Sequence, residues 1–300
     1  MEERPFGQTD MQVSVLGFGG SEIGLEGADE ATVERLLGRA LDAGLNVIDT
    51  AECYGESEEL IGRTVGSRRD QFYLFTKCGH PYGMESGANW TSDSILESIE
   101  RSLQRLRTDR VDLVHLHSCP EAVLKKGEAI VALQTAREKG YARYIGYSSD
   151  SEAARYAVEC GTFDSLQTSI NIADQEAIEL TLPLAREKEK GVIAKRPVAN
   201  VAWKSGHKPA NSYHQVYWDR LQTLRYPFLE SARLEKIVGV ALRFTLHVPG
   251  VRTAIVGTKN PERWAENARL LEAGLLGESK YREIRERWED VAPKTWIGQT

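Results

Sequence analysis

Residues 46–60 read NVIDTAECYGESEEL. Asn46, Val47 and Ile48 form a β-type run that ends in Asp49, and Tyr54 follows in the next turn of chain. A carboxylate at the end of a buried strand is costly unless something pairs with it. The stretch therefore makes a demand on the fold: another strand must end close by and bring a cation to Asp49.

Working outward, eight short β-rich runs recur: VSVLGFG (13–19), LNVIDT (45–50), FYLFTK (72–77), VDLVHLH (111–117), ARYIGYS (142–148), SLQTSI (165–170), GVIAKRP (191–197) and TAIVG (253–257). Helical patterns lie between them. Val33, Leu36, Leu37, Ala40 and Leu41 fall on one face at helical spacing, as do Ile95, Ile99, Leu103 and Leu106. Thr91 and Ser92 are N-cap candidates for the second helix. Gly44, Gly140, Gly161 and Gly191 each stand between a helical pattern and the next strand, or open that strand, and glycine accepts the left-handed conformation that commonly closes a helix.

Strands alternating with helices predict a parallel sheet. Eight such units predict a (β/α)₈ (TIM) barrel, with RPFGQTDMQVSVL as an N-terminal hairpin under it. The reading is one barrel domain over residues 1–300, with a long irregular loop at about 200–230 after strand seven. GESKYREIRERWEDVAP is expected as a C-terminal amphipathic helix. A doubly wound sheet is the alternative; VLGFGGSEIG, with glycines at 17, 19 and 20, lacks the full dinucleotide fingerprint.

Functional residues of such barrels sit at the C-terminal ends of the strands. Asp49 ends the second run, Lys77 the third, His117 the fourth, Ser148 the fifth and Gly257 the eighth. Lys77 is thus the expected partner of Asp49. Singly, each has an ordinary explanation: an Asp after a strand is often a helix cap, and a strand-end Lys is usually solvated. His115 and His117 share a strand face, so one of them is expected to be structural. Together, Asp49, Tyr54, Lys77 and His117 suit carbonyl reduction. A lysine ammonium near a phenol is expected to lower its pKa, the histidine orients a carbonyl oxygen, and the tyrosine supplies a proton.

The totals exclude other classes. The 300 residues carry 38 Lys and Arg against 44 Asp and Glu, a net charge of −6, with no basic block for nucleic acid. MEERPFGQTD lacks the apolar core of a signal peptide, and no run of 18 apolar residues suggests a membrane span. The four cysteines are scattered singly, so a reduced, cytoplasmic protein is expected.

These stretches resemble the aldo-keto reductase family along essentially the whole chain. NVIDTAECYG is similar to the family's Asp and Tyr segment, LFTKCG to its Lys strand, RSLQRLRTDRVDLVHLHS to the approach to its His, ARYIGYSSDS to its "GxSN" segment, and VGTKNPERWAEN to its cofactor loop. The resemblance implies Asp49, Tyr54, Lys77 and His117 as the catalytic tetrad and NADP(H) bound without a Rossmann domain or a metal. Ser148, Ser149 and Gln167 would hold the nicotinamide carboxamide, although Ser149 replaces the family's usual Asn. Gly20 matches the loop after strand one. Gly257, Thr258, Lys259, Arg263, Glu266 and Asn267 match the adenosine and 2′-phosphate site. Lys195 and Arg196 stand where an aromatic group commonly packs on the cofactor, and Arg196 could stack there instead. The implied substrate is a small carbonyl compound or alcohol.

Two other functions compete. A zinc hydrolase could use Cys53, Cys78, Cys119, His80, His115 and His117; the plainer reading has the cysteines packing as small apolar side chains. A cofactor-binding sensor with an inert tetrad is the other. Trp90, Trp203, Trp218 and Trp296 are candidates for lining a pocket.

Overall fold

A computed structural model describes residues 1–80, 89–231 and 233–299. An antiparallel hairpin, β1 (Glu3–Pro5) and β2 (Gln12–Ser14), precedes a closed barrel of eight parallel strands. These are β3 (Leu16–Gly19), β4 (Val47–Asp49), β5 (Tyr73–Cys78), β6 (Val111–His117), β7 (Ala142–Ser148), β8 (Ser165–Ser169), β9 (Gly191–Lys195) and β10 (Val251–Val256). They follow one another around the barrel in chain order, and β10 closes on β3, Val256 beside Phe18.

The run at 13–19 is two strands. Val13 and Ser14 finish the hairpin, and Leu16–Gly19 begins the barrel. No turn residue marks the break. The side chain of a residue far along the chain makes it: Asn46 accepts from Ser14 N at 2.6 Å and donates to the Gln12 carbonyl at 2.8 Å. Asn46 consequently lies below β4, which starts at Val47.

Side chains alternate across a strand. Inward-facing Val47, Phe75, Leu113, Ile193 and Ile255 form a core inside the barrel, closed from below by Phe6, Met11 and Val13 of the hairpin. The alternate residues, such as Ile48, Leu74, Val114 and Ala194, pack outward against the helices. On helix Glu30–Asp42 the predicted stripe Val33, Leu36, Leu37, Ala40 and Leu41 is buried; on helix Ser92–Leu106 so are Ile95, Ile99, Leu103 and Leu106. Each Val, Leu or Ile among them contributes about 1.5–3 kcal/mol of apolar burial. Thr91 caps the latter helix, accepting from Ser94 N.

Gly44, Gly140 and Gly161 have positive φ, as expected of helix-closing glycines, but Gly191 does not. It is glycine for space, because a Cβ there would lie 2.5 Å from the Phe6 ring. The region at 200–230 is more ordered than a loop. It contains helix Ser212–Leu224, capped by Asn211, with Tyr217, Arg220, Leu221 and Leu224 buried at helical spacing. The C-terminal helix Glu278–Val291 buries Ile284, Arg285 and Trp288. No helix among the described residues is long and apolar enough to cross a membrane.

Candidate active site

Two residues beyond the apolar layer, the same inward positions turn polar: Val47 leads to Asp49, Phe75 to Lys77, Leu113 to His115 and His117, and Ile193 to Lys195. Lys77 Nζ meets Asp49 Oδ2 at 2.5 Å, and both side chains are 1% exposed. The ammonium also donates to the Thr50 carbonyl at 2.8 Å, while the second Asp49 oxygen accepts from Gln167 Nε2 at 2.9 Å. Ser148, in register beside Gln167, donates to its Oε1 at 2.8 Å. A buried ion pair needs such additional bonds to survive desolvation. Burial pushes the Asp49 carboxyl up against the pull of Lys77. Burial also works to strip the Lys77 proton, but Asp49 and Tyr54 outweigh it, and the ammonium holds its proton above the ordinary lysine range. We take the pair as ammonium and carboxylate, since Lys77 has two acceptors and Asp49 two donors.

Tyr54 stands over this pair, with Lys77 Nζ 4.9 Å from its ring centroid. Its ring meets that of His117 edge-on at 5.7 Å. Among the described residues nothing hydrogen-bonds its hydroxyl. Burial raises the phenol pKa above the ordinary tyrosine value; Lys77 pulls it down, as expected, but offsets only part of that rise. Burial, aided by Lys77 and Lys195, holds His117 well below the usual histidine range, so its ring is neutral. His115 is the structural histidine of the two. It is fully buried, and Nε2 lies 3.1 Å from Ser165 Oγ.

The turn carrying Tyr54 is braced from below. Glu52 N bonds the Lys77 carbonyl, and its carboxylate is held by Ser98 and by Arg101 Nε at 2.8 Å. Glu58, fully buried, accepts from Thr76 at 2.7 Å, and burial pushes its carboxyl up to about 7.

At the opposite side of the mouth, Lys195 is paired with Asp150 at 2.8 Å; burial brings its ammonium down to about 8, with Asp150 opposing. The guanidinium of Arg196 lies over the Tyr213 ring at 5.1 Å and donates to Ser169 Oγ and to the Gln299 carbonyl. One flat face of its guanidinium is therefore covered by Tyr213. Of the four tryptophans, Trp90 reaches the mouth through His80, edge-on at 5.4 Å, and His80 meets His117 at 5.6 Å. Trp296 packs on Trp288, and Trp203 and Trp218 pack on the outer core.

Gly20 follows β3 and donates to the Asp49 carbonyl at 2.7 Å; a Cβ there would lie 2.6 Å from Ser57 Oγ. Past β10, Gly257 and Thr258 lead into helix Arg263–Leu271, which carries Glu266 and buried Asn267. Lys259 and Arg263 come to this end together, but each already has a carboxylate: Lys259 pairs with Glu26 at 3.0 Å and Arg263 with Glu266 at 2.8 Å. Ser149 is buried, its N–H bonded to the Gln167 carbonyl. Among the described residues no three His, Cys, Asp or Glu side chains are grouped to hold a metal ion.

Residues 15–289 match the sequence profile described as "Aldo/keto reductase family". The chain belongs to that family. It is an oxidoreductase of the aldo/keto reductase type, and the family's cofactor is NADP(H). An uncharacterized oxidoreductase of Bacillus subtilis, YqkF, is 27% identical, with 95% of this chain and 96% of that protein covered. L-galactose dehydrogenase of Arabidopsis thaliana is also 27% identical, with 99% and 97% covered. Among solved structures, aldo-keto reductase AKR11C1 from Bacillus halodurans in its holo form superposes with a TM-score of 0.84 at 27% identity, with 98% and 99% covered.

The residues present fit a nicotinamide dinucleotide. Ser148 and Gln167 keep hydrogen-bonding capacity after their mutual bond, since an amide has two donors and two lone pairs. At the rim the backbone of Gly20 and Gly257 is closely approached by the protein itself: a Cβ would lie 2.6 Å from Ser57 Oγ at Gly20 and 3.2 Å from Glu22 Oε1 at Gly257. Sequence reasoning passed over Cys53 as a partner of His117, although its Sγ lies 3.4 Å from His117 Nδ1, as well as Glu52, Glu58, Asp150 and Gln299. Glu52 and Glu58 carried a signal, being charges inside an otherwise catalytic stretch. Gln299 carried none, because only folding brings the tail to Arg196.

Proposed function

We propose that this aldo/keto reductase reduces an aldehyde or ketone to the alcohol with NADPH, or runs the reverse oxidation. The observation that carries the reading is the locked Lys77–Asp49 pair beneath Tyr54, with neutral His117 edge-on to the same ring. NADPH supplies the hydride. Tyr54, whose pKa burial raises, keeps its proton until a carbonyl oxygen above it becomes negative, then gives it up beside the Lys77 ammonium. Asp49 holds Lys77 in place and balances its charge. His117 donates to the same oxygen and orients it.

Ser148, Ser149 and Gln167 hold the nicotinamide end, Gly20 and Lys195 border it, and Gly257, Thr258, Lys259, Arg263, Glu266 and Asn267 hold the adenosine phosphate end. Arg196 acts from behind, through the tail and Tyr213, in place of stacking on the ring. The relative named L-galactose dehydrogenase makes sugars a class to test alongside simple aldehydes and ketones.

NADPH oxidation across a panel of aldehydes, ketones and sugars tests the reaction, followed with wild type and Tyr54→Phe. The variant is expected to lose about 10² to 10⁴ in kcat, the usual worth of general acid catalysis, with NADPH affinity retained. Wild-type turnover by Tyr54→Phe would sink the tetrad assignment.

A further inference from the structure

We propose that Cys53 is a positioning residue: its S–H donates to His117 Nδ1 and fixes the imidazole as the tautomer that carries its proton on Nε2. The inference rests on the reductase reading above, in which His117 must present an N–H to a carbonyl oxygen.

The geometry is direct, with Cys53 Sγ 3.4 Å from His117 Nδ1. Both partners are held. Cys53 sits in the turn in which Tyr54 N bonds the Ala51 carbonyl at 3.0 Å and Ser57 N bonds the Tyr54 carbonyl at 3.1 Å. His117 ends β6, in register with Ser148. Its ring faces Tyr54 and His80 edge-on, with the Lys77 and Lys195 cations and His115 acting on it from neighbouring positions. Positive neighbours and burial keep the ring neutral, and a neutral imidazole has one N–H donor and one acceptor.

Which nitrogen donates depends on what faces Nδ1. A thiol is a weak donor as well as a weak acceptor, and we assign it the donor role here because that leaves the ring's own N–H free to face the mouth. Burial pushes the Cys53 thiol up to about 11, so the hydrogen is present at neutral pH. Nδ1 is then the acceptor and Nε2 the donor. Among the described residues no other hydrogen bond to the His117 ring competes. Cys53 immediately precedes Tyr54, so one turn places the proton donor and sets the tautomer of its partner.

The test reads the histidine directly. Protein labelled with ¹⁵N in its six histidines is compared as wild type, Cys53→Ala and Cys53→Ser, with His117→Asn identifying the signal. The expected wild type has an unprotonated Nδ1 and a protonated Nε2. Cys53→Ala should populate the other tautomer and lower kcat about two- to tenfold, the size of one ordinary hydrogen bond, with little change in KM. Cys53→Ser keeps an O–H donor and should restore both. A protonated Nδ1 in wild type, or a His117 signal indifferent to Cys53→Ala, overturns the proposal even if carbonyl turnover is found. A Cys53-dependent Nε2–H tautomer in a protein that reduces no carbonyl supports the contact and overturns the reductase reading instead.

Discussion

On the proposed function, Lys77 is one residue placed to serve both stability and chemistry. It is almost fully buried and spends its donors on Asp49 and the Thr50 carbonyl. Lys77→Met leaves Asp49 buried without its cation, and breaking a buried pair in this way costs about 3–5 kcal/mol. Activity should go with it. The stability loss should also depend on pH. Burial raises the Asp49 carboxyl and Lys77 is the chief group opposing that rise, so in the variant the carboxyl is raised further and the folded state binds more protons than the unfolded one. Stability then falls as pH rises. The deficit of Lys77→Met in urea melts is expected to be smaller at about pH 5 than at about pH 8. Unchanged stability together with unchanged activity would show that the pair carries neither role.

Among the elements, the strands decide which residues meet. Their two-residue alternation carries each inward position from an apolar layer to a polar one, and the layers must fit sideways as well. Gly146 on β7 lies beside His115 on β6, and a Cβ at 146 would come 2.5 Å from His115 Cδ2. Gly146→Ala is therefore expected to cost about 1–3 kcal/mol, as overpacking does, and to disturb His117 two residues along. Thermal melts and kcat would both register it; a neutral result in both would mean that the layer is looser than its distances. The helices contribute support from outside the barrel. Helix Ser92–Leu106 braces the Tyr54 turn through Ser98, Arg101 and Arg105. Glu58 in this brace titrates near 7 when folded against 4.5 for the free group. A carboxyl raised by folding contributes stability at low pH that is lost as pH rises from about 4.5 to about 7. Glu58→Gln should flatten that part of the stability profile, by up to about 3 kcal/mol, in denaturant melts between those limits. A profile of unchanged slope would mean that Glu58 is ionised in the folded protein throughout.

For the whole molecule, the question is how a chain of net charge −6 takes a polyanionic cofactor. The answer offered by the fold is local. Lys259 and Arg263 stand where β10 feeds a helix N-terminus, whose dipole adds positive potential. Glu26 and Glu266 already pair with these cations, so on the proposed assignment a 2′-phosphate would exchange one anionic partner for a stronger one. NADPH is still expected to bind at least about tenfold tighter than NADH, roughly 1.4 kcal/mol. Replacing both Lys259 and Arg263 with Ala should erase most of that preference and leave NADH affinity nearly untouched. Tryptophan fluorescence titrations of wild type and the double variant check this. Equal affinities of the wild type for the two nucleotides would overturn the phosphate assignment alone.

By itself the sequence determined the barrel and the ends of its strands. Hydrophobic periodicity and strand–helix alternation are local properties, and a polar residue at the end of several of the β runs is visible without coordinates; Asp49, Lys77 and His117 were legible for that reason. The division of VSVLGFG was not, because the break depends on Asn46, which is distant in the chain. Nor was the direction of the Tyr54 pKa: composition shows the Lys77 charge but not the desolvation that outweighs it. The commitments of Arg196 to Tyr213 and the tail, of Lys195 to Asp150, and of Cys53 to His117 were likewise decided only in three dimensions. Charge is carried by the residue, whereas burial and partners are carried by the packing, and in a low-dielectric barrel mouth the packing decides which protons stay.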